Sequence, residues 1–583
     1  MVRTSREYLR GLWYLALPLA LFALAGCKAN QSSGASKTES AQTWSPEKLT
    51  SVQGIPATEI EALIQKKLDG PKLPKIDDDQ WGHTRRLYKL YGNNPLWLTS
   101  DGLHKTRTKA LTNAILAANT DGMRLDDYPI GALADAIGAL KQTKTPTAEQ
   151  FATADVILTA AYTSLGEDLL TGQVDPRTVQ QAWHVDPEED NVDSALVRNL
   201  RYSQLDKALA TMRPTDDDYQ GLSKQLQVYR TIVAKGGWQP IPATKNVKPG
   251  APANSAVLTA VRNRLAVEGI VPITNTSDST SSAASQGPSA SSGSVYGHDL
   301  AAAVAVYQAR HSINVDSALG TETLESMNVP AAYRLGEIAA NMERYRWLPR
   351  SFGARYIFVN VSAFKLEAYD SGEKSLEMKV IVGQEYQDKA TPVFADSMET
   401  VVFRPYWEVP PDIAAKEVFP KGQAYFASQN METYQQGGET HVRQRPGPKN
   451  ALGLVKFLFP NDFNIYLHDT PNHELFNKDV RAFSHGCIRV EKPDELAQWV
   501  LGWPADKVEQ EMQNPPDNKS VKVPHKIPVY ITYFTTYMNN SQLNFGNDLY
   551  GRDDKLVPVV MAGAMPSKDV VDAVQALRRI AGA

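Results

Sequence analysis

The hydrophobic pattern of this 583-residue chain changes period near Ala354. Before that point apolar residues recur at three- and four-residue spacings, as on one face of an α-helix; after it they alternate, as in half-buried strands. Helices are expected over Glu59 to Leu68, Thr84 to Leu90, Lys105 to Ala118, Tyr128 to Leu140, Thr147 to Leu170, Ser194 to Met212, Asp217 to Ala234, Asn254 to Glu268 and Asp299 to Arg310. Strands are expected over Tyr356 to Val361, Lys365 to Tyr369, Leu376 to Val382, Thr400 to Arg404 and Phe463 to His468, with Asp370 to Glu373 as a hairpin turn. A chain with this pattern is α+β and multidomain: a helical first half and a β-rich domain over about 354–540.

Two low-complexity stretches punctuate it. Lys28 to about Thr50 is polar and reads as a flexible tether, part of a 27–50 linker. The run 274–294 is Ser/Thr/Ala/Gly-rich and too poor in large apolar groups to fold. The other segments are then a helical domain over 51–245, a small helical module over 252–330 that holds the insert, and a C-terminal extension over 541–583. The net charge of −4 lacks the basic footprint of a nucleic-acid binder, so no nucleic-acid partner is expected.

There are two cysteines. Arg3, Arg6 and Arg10 precede a 14-residue apolar run, Gly11 to Leu24, in the order of a secretory signal. That run is shorter than the roughly 20 residues of a permanent membrane helix. Leu24-Ala25-Gly26-Cys27 resembles a bacterial lipobox, in which residues 1–26 are removed and Cys27 carries lipid. The resemblance implies a periplasmic protein held on the outer membrane, with Lys28 after the cysteine, and leaves Cys487 as the free thiol. Loss of 1–26, with three arginines and one glutamate, moves the net charge to −6.

Cys487 sits in Ser484-His485-Gly486-Cys487-Ile488-Arg489, and His468 lies 16 residues before Ser484. Alternation puts Asn464, Tyr466 and His468 on one strand face and Cys487 with Arg489 on another, so an imidazole and a thiol can meet. A free thiol titrates near 8.5, and a neighbouring imidazole, cation or set of N–H groups raises its thiolate fraction. Gly486 permits close approach of a substrate carbonyl, and N–H groups around His485, Gly486 and Cys487 can bind an oxyanion. An inert buried thiol, structural histidines, or zinc held by His468, His485 and Cys487 with His473 remain open on the residues alone.

His468 followed by S-H-G-C is similar to the L,D-transpeptidase signature. The likeness extends through Arg404 to Pro411, Pro446 to Gly453 and Tyr466 to Pro471, as in the large enzymes of the Gram-negative envelope. Asp121-Gly122-Met123, Asp127-Tyr128 and Gly236-Gly237-Trp238 resemble their helical scaffold. The resemblance implies Cys487 as nucleophile, His468 as base with a backbone carbonyl at Asp469 orienting it, His485 and Gly486 at the oxyanion site, and Ser484 holding the turn. Tyr466, Asp469 and Arg489 border the substrate; Arg489 stands where many members have Asn. It implies 3→3 cross-linking of peptidoglycan stem peptides through a thioester, carbapenem sensitivity, and no metal or cofactor. An L,D-carboxypeptidase, an enzyme attaching or releasing a wall lipoprotein, and an inactive wall-binding scaffold are the alternatives. Residues 411–453 resemble a capping subdomain, and 252–330 resembles a peptidoglycan-binding module. Envelope protein partners, if used, would dock on the helical scaffold.

Overall fold

The computed structural model describes residues 43–185, 192–270, 294–384, 390–562 and 566–582. The signal run, the lipobox at Cys27, the tether up to residue 42 and the insert up to residue 293 lie outside them. Among the described residues, no helix is long and apolar enough to cross a membrane.

The helical half is organised around α1 (Ala148–Thr171), which is buried along most of its length. Thr147 caps its start, accepting from Gln150 N–H while Gln150 caps in return. Ala57–Leu68, Asp78–Leu90, Lys105–Leu116 and Ile130–Gln142 surround it. One helix was expected over Ser194 to Met212; the chain forms two, Val192–Leu200 and Leu205–Thr211. Arg107 occupies the break between them, donating to Leu200 O at 2.7 Å and Tyr202 O at 2.8 Å. The next helices are α2 (Asp217–Ala234), α3 (Ala331–Arg346), α4 (Asp553–Met561) and α5 (Lys568–Gly582).

These helices do not respect the expected segment limits. Tyr219, Leu222, Leu226 and Tyr229 of α2 pack into the core of the β-rich domain. Val574 and Leu577 of α5, in the C-terminal extension, complete the core of the helical half. Helix α3 is buried on all sides and yet carries ions. Arg346 donates to Asp121 O at 2.7 Å and pairs with Glu343, and Arg344 meets Asp553 of α4 at 2.7 Å. Asp121 also accepts from Arg213 and Tyr219, at 2.8 and 3.1 Å, so the Asp121-Gly122-Met123 motif joins the helical half to α3.

The small module has its own core, from Ile241 to Met327. Its motif residues are used internally. The Gln308 amide donates to Asp316 at 2.9 Å and Thr323 at 3.0 Å and accepts from Ser317 N–H at 2.8 Å.

The β-rich domain is a ten-stranded sheet. In chain order its strands are β1 (Trp183–His184), β2 (Arg355–Asn360), β3 (Lys365–Asp370), β4 (Glu373–Gly383), β5 (Val393–Phe403), β6 (Val455–Leu458), β7 (Leu467–His468), β8 (Ala482–Ser484), β9 (Ile488–Val490) and β10 (Lys519–Thr532). The spatial order is β6-β7-β9-β4-β3-β2-β10-β5-β1. β8 pairs with β4, and β6 also pairs with β5, which closes the sheet into a barrel. β1 comes from the helical half and lies parallel to Val393 and Phe394 of β5. The fold is therefore a helical first half followed by a β-rich domain whose sheet closes as a barrel.

Between β5 and β6 the chain builds a cap. A three-stranded sheet (Trp407–Glu408, Met431–Gln436 and Glu439–Gln444) covers a core of Val409, Ile413, Val418, Phe426 and Val442. Asn450 staples its neck, donating to Pro405 O and Arg445 O, both at 3.0 Å, while its Oδ1 accepts from Leu452 N–H at 2.8 Å.

Candidate active site

The expected strand Phe463 to His468 is shorter than its alternation suggests. β7 holds only Leu467 and His468, because Asp462 and Phe463 form a turn and Asn464 adopts φ 55°. Cys487 likewise stands just ahead of β9 rather than within it. In register, Lys456 of β6 faces His468 in an antiparallel pair, and His468 faces Arg489 in a parallel pair. Residues paired across a sheet share a face. The barrel thereby brings Lys456, Tyr466, His468, Cys487 and Arg489 together.

His468 is buried, and its Nδ1 lies 2.5 Å from the backbone carbonyl of Asp469. Nδ1–H donates there, which fixes the tautomer and leaves the Nε2 lone pair as an acceptor. Burial, reinforced by the Arg489 and Lys456 charges, lowers the pKa of this imidazole to about 3. The Asp469 carboxylate is used elsewhere. It accepts from Leu454 N–H at 2.8 Å and Thr470 N–H at 2.6 Å. Gly453 makes room for it, since a Cβ there would fall 2.2 Å from Asp469 Cγ. The Pro446-to-Gly453 motif thus ends in a seat for the residue that orients His468.

Cys487 Sγ is partly exposed and lies 3.7 Å from Asn464 O. Burial pushes its thiol pKa up, while hydrogen bonding from Tyr466 and the charges of Arg489 and Lys456 act in the opposite direction. The same two cations that favour a thiolate disfavour an imidazolium at His468. At rest the thiol and the imidazole are accordingly both neutral.

Ser484 Oγ donates to Cys487 O at 2.5 Å and accepts from Gly486 N–H at 3.2 Å. The Gly486 N–H is therefore occupied, and the next donor along the turn is Cys487 N–H. Gly486 has φ 119°, a region that favours glycine. His485 turns away from this turn, and its Nε2 meets Glu417 Oε1 of the cap at 2.8 Å. Arg489 Nη2 reaches Phe483 O at 3.5 Å, while its buried Nε has no hydrogen-bond partner.

Lys456 and Glu417 were not singled out by the sequence, although a lone lysine inside Val455-Lys456-Phe457-Leu458 was a usable signal. Arg443, Arg445 and Lys449 are engaged within the cap. Arg443 meets Glu432 at 2.6 Å, Arg445 meets it at 2.5 Å, and Lys449 reaches Ser428 O at 3.4 Å. Among the described residues, no group of three or more His, Cys, Asp or Glu is placed to hold a metal ion. His473 lies 3.7 Å from Asp469. A cavity of about 360 Å³ adjoins the thiol's neighbours, lined by Asn464, Ile465 and Tyr466 with Glu399 and Leu458. A larger one, about 660 Å³, lies in the helical half between Lys72, Arg124 and Asp168 and does not border Cys487.

Residues 354–531 match the family model of the L,D-transpeptidase catalytic domain (YkuD), and residues 82–226 match that of the scaffold domain. A putative L,D-transpeptidase of Haemophilus influenzae (strain ATCC 51907 / DSM 11121 / KW20 / Rd) is 33% identical over an alignment of 245 residues that covers 38% of this chain and 48% of that one. The chain thus spans about half the length of the relative it matches. The crystal structure of the L,D-transpeptidase (residues 123–326) from Xylanimonas cellulosilytica DSM 15894 covers 50% of this chain and 100% of its own, at 14% identity and a TM-score of 0.15. That superposition is too slight to bear on the fold.

Proposed function

We propose that this protein is a peptidoglycan L,D-transpeptidase that forms 3→3 cross-links through a thioester on Cys487. The observation that supports the reading is the register of Lys456, His468 and Arg489 across β6, β7 and β9, with His468 Nδ1 held by Asp469 O and Cys487 two residues ahead of Arg489. The match of 354–531 to the L,D-transpeptidase catalytic model supports the substrate class.

In the proposed reaction the Cys487 thiol gives its proton to His468 Nε2 as sulfur attacks the carbonyl of the third stem residue. The oxyanion is held by backbone N–H groups of the 484–487 turn. His468 then returns the proton to the departing D-Ala amine as the C–N bond breaks, leaving a thioester. The side-chain amine of a second stem attacks it, His468 takes the amine proton, and Cys487 leaves as a thiol. With His468 poised near 3, this transfer is driven by the attack itself rather than by a preformed ion pair. A substrate carboxylate on Arg489 Nε would weaken the repulsion that holds His468 neutral. The cap above His485 excludes water and so favours amine over hydrolysis. Lipidation at Cys27 would hold the enzyme on the periplasmic face of the outer membrane.

The test is intact-mass analysis with tetrapeptide muropeptides. A thioester adduct on wild type, cross-linked dimers, and neither with Cys487→Ala are expected. Dimer formation by Cys487→Ala would sink the mechanism; hydrolysis to tripeptide without dimers would favour an L,D-carboxypeptidase. Carbapenem mass adducts should likewise map to Cys487.

A further inference from the structure

Thr391 lies outside the turn that carries Cys487 and is bonded to it. Its fully buried hydroxyl donates to Gly486 O at 2.9 Å and accepts from Gly383 N–H at 3.0 Å. Its own backbone is gripped from the C-terminal extension. Thr391 N–H donates to the Tyr550 hydroxyl at 3.2 Å, and Thr391 O accepts from Arg552 Nη2 at 2.9 Å. The Tyr550 hydroxyl donates in turn to Gly383 O at 2.7 Å. This grip is itself braced. Arg552 lies over the Tyr533 ring at 4.4 Å, and Asp548 accepts from Arg552 N–H at 2.9 Å and from the Tyr533 hydroxyl at 2.7 Å. Tyr550 and Arg552 follow residue 531, so they fall beyond the span that matches the catalytic family model.

A planar trans peptide points its C=O and the following N–H in opposite directions. Pinning the Gly486 carbonyl therefore sets the direction of Cys487 N–H. Gly486 N–H is taken by Ser484, so that direction decides whether the turn offers a donor to an oxyanion. At φ 119° the glycine has many conformations open to it, and the plane needs an external hold.

We propose that Tyr550 and Arg552, acting through Thr391, are positioning residues that aim Cys487 N–H at the oxyanion of the acyl-transfer step. The proposal rests on reading Cys487 as an acyl-accepting nucleophile, and not on the identity of the acyl donor.

The experiment compares two probes on the full chain. p-Nitrophenyl acetate acetylates Cys487: the carbonyl carbon gains sulfur, passes through an oxyanion and expels p-nitrophenolate. Iodoacetamide alkylates the same sulfur by displacing iodide, with no carbonyl oxyanion. Thr391→Val should slow acetylation by at least about tenfold, within the range of up to about 1000-fold for losing one oxyanion donor. Alkylation should stay within about threefold, and Thr391→Ser should restore acetylation. Tyr550→Phe and Arg552→Lys should show the same split to a smaller degree, and Arg552→Lys serves if Thr391→Val does not fold. Acetylation at the wild-type rate, or acetylation and alkylation falling together, would overturn the proposal. A wild type that shows this split dependence and yet forms no thioester with tetrapeptide stems would remove the peptidoglycan reading and leave this one standing.

Discussion

Asp469 receives the Nδ1–H of His468 on its main-chain oxygen, at 2.5 Å, while its carboxylate faces the opposite way and holds Leu454 and Thr470. A carbonyl orients the ring without supplying the negative charge that would stabilise an imidazolium. That arrangement agrees with the depressed basicity of His468.

The first prediction concerns pH. His468 titrates near 3 when folded against 6.5 for the exposed ring, so between those values the unfolded chain binds the extra proton. Stability should be full above about pH 6.5 and should fall as pH drops toward 3, by up to about 1.4 kcal/mol per pH unit from this group. Urea unfolding at pH 4.5 and 7 should show a smaller difference for His468→Gln than for wild type. Equal differences would mean that His468 is not buried as a neutral ring. The same variant should slow acylation by roughly 100- to 10,000-fold.

A second prediction tests the seat of Asp469. Gly453→Ala places a methyl 2.2 Å from Asp469 Cγ at φ 60°, whereas Gly447→Ala, at φ 141°, meets nothing within 4 Å. Gly447→Ala should cost only backbone strain, of the order of 1–2 kcal/mol. Gly453→Ala should cost more in thermal melts and should also slow acylation by at least about tenfold, the typical consequence of misplacing a catalytic group. Normal acylation by Gly453→Ala would separate Asp469 from the orientation of His468.

The cap gives a third. The His485–Glu417 contact joins half-exposed side chains, and such pairs are worth at most about 1 kcal/mol. Glu417→Gln should therefore raise the ratio of hydrolysed to cross-linked product about two- to fivefold, read by muropeptide chromatography. An unchanged ratio would mean that this contact does not hold the cap.

The anchor gives a fourth. Trp44 N–H is already bonded to Arg201 O, so the 15 residues from Lys28 to Gln42 set the reach, roughly 50 Å at about 3.3 Å per residue, which would let a membrane-held enzyme search the wall. Cys27→Ser should leave the membrane fraction and retain acylation in solution. Continued fractionation with membranes would assign the anchor elsewhere.

The long amphipathic helices were legible because each buries one face, and the barrel strands β2 to β4 because each alternates. Helix α3 was not legible. It is buried all round and carries Arg334, Glu337, Glu343, Arg344 and Arg346 within that buried surface, so it has no apolar stripe to read. The break at Arg201 to Gln204 was hidden because the ligand of its freed carbonyls, Arg107, is distant in sequence. Around the thiol, His468 and Cys487 could be paired from strand alternation, although Asn464 at φ 55° ends that alternation early. Thr391 and Glu417 arrive through a buried hydroxyl and the cap, neither of which is a local pattern, whereas Lys456 did leave a local mark as the lone lysine inside an apolar strand.

The Arg344–Asp553 contact has a temporal meaning. Both side chains are fully enclosed, at 0% exposure, and an enclosed guanidinium without its counter-charge costs several kcal/mol. Synthesis from the N-terminus places Arg344 some two hundred residues ahead of Asp553. Helix α3 therefore cannot settle into its final place until that distant residue is present. The core that α3 shares with the barrel strands is thus completed from the far end of the sequence.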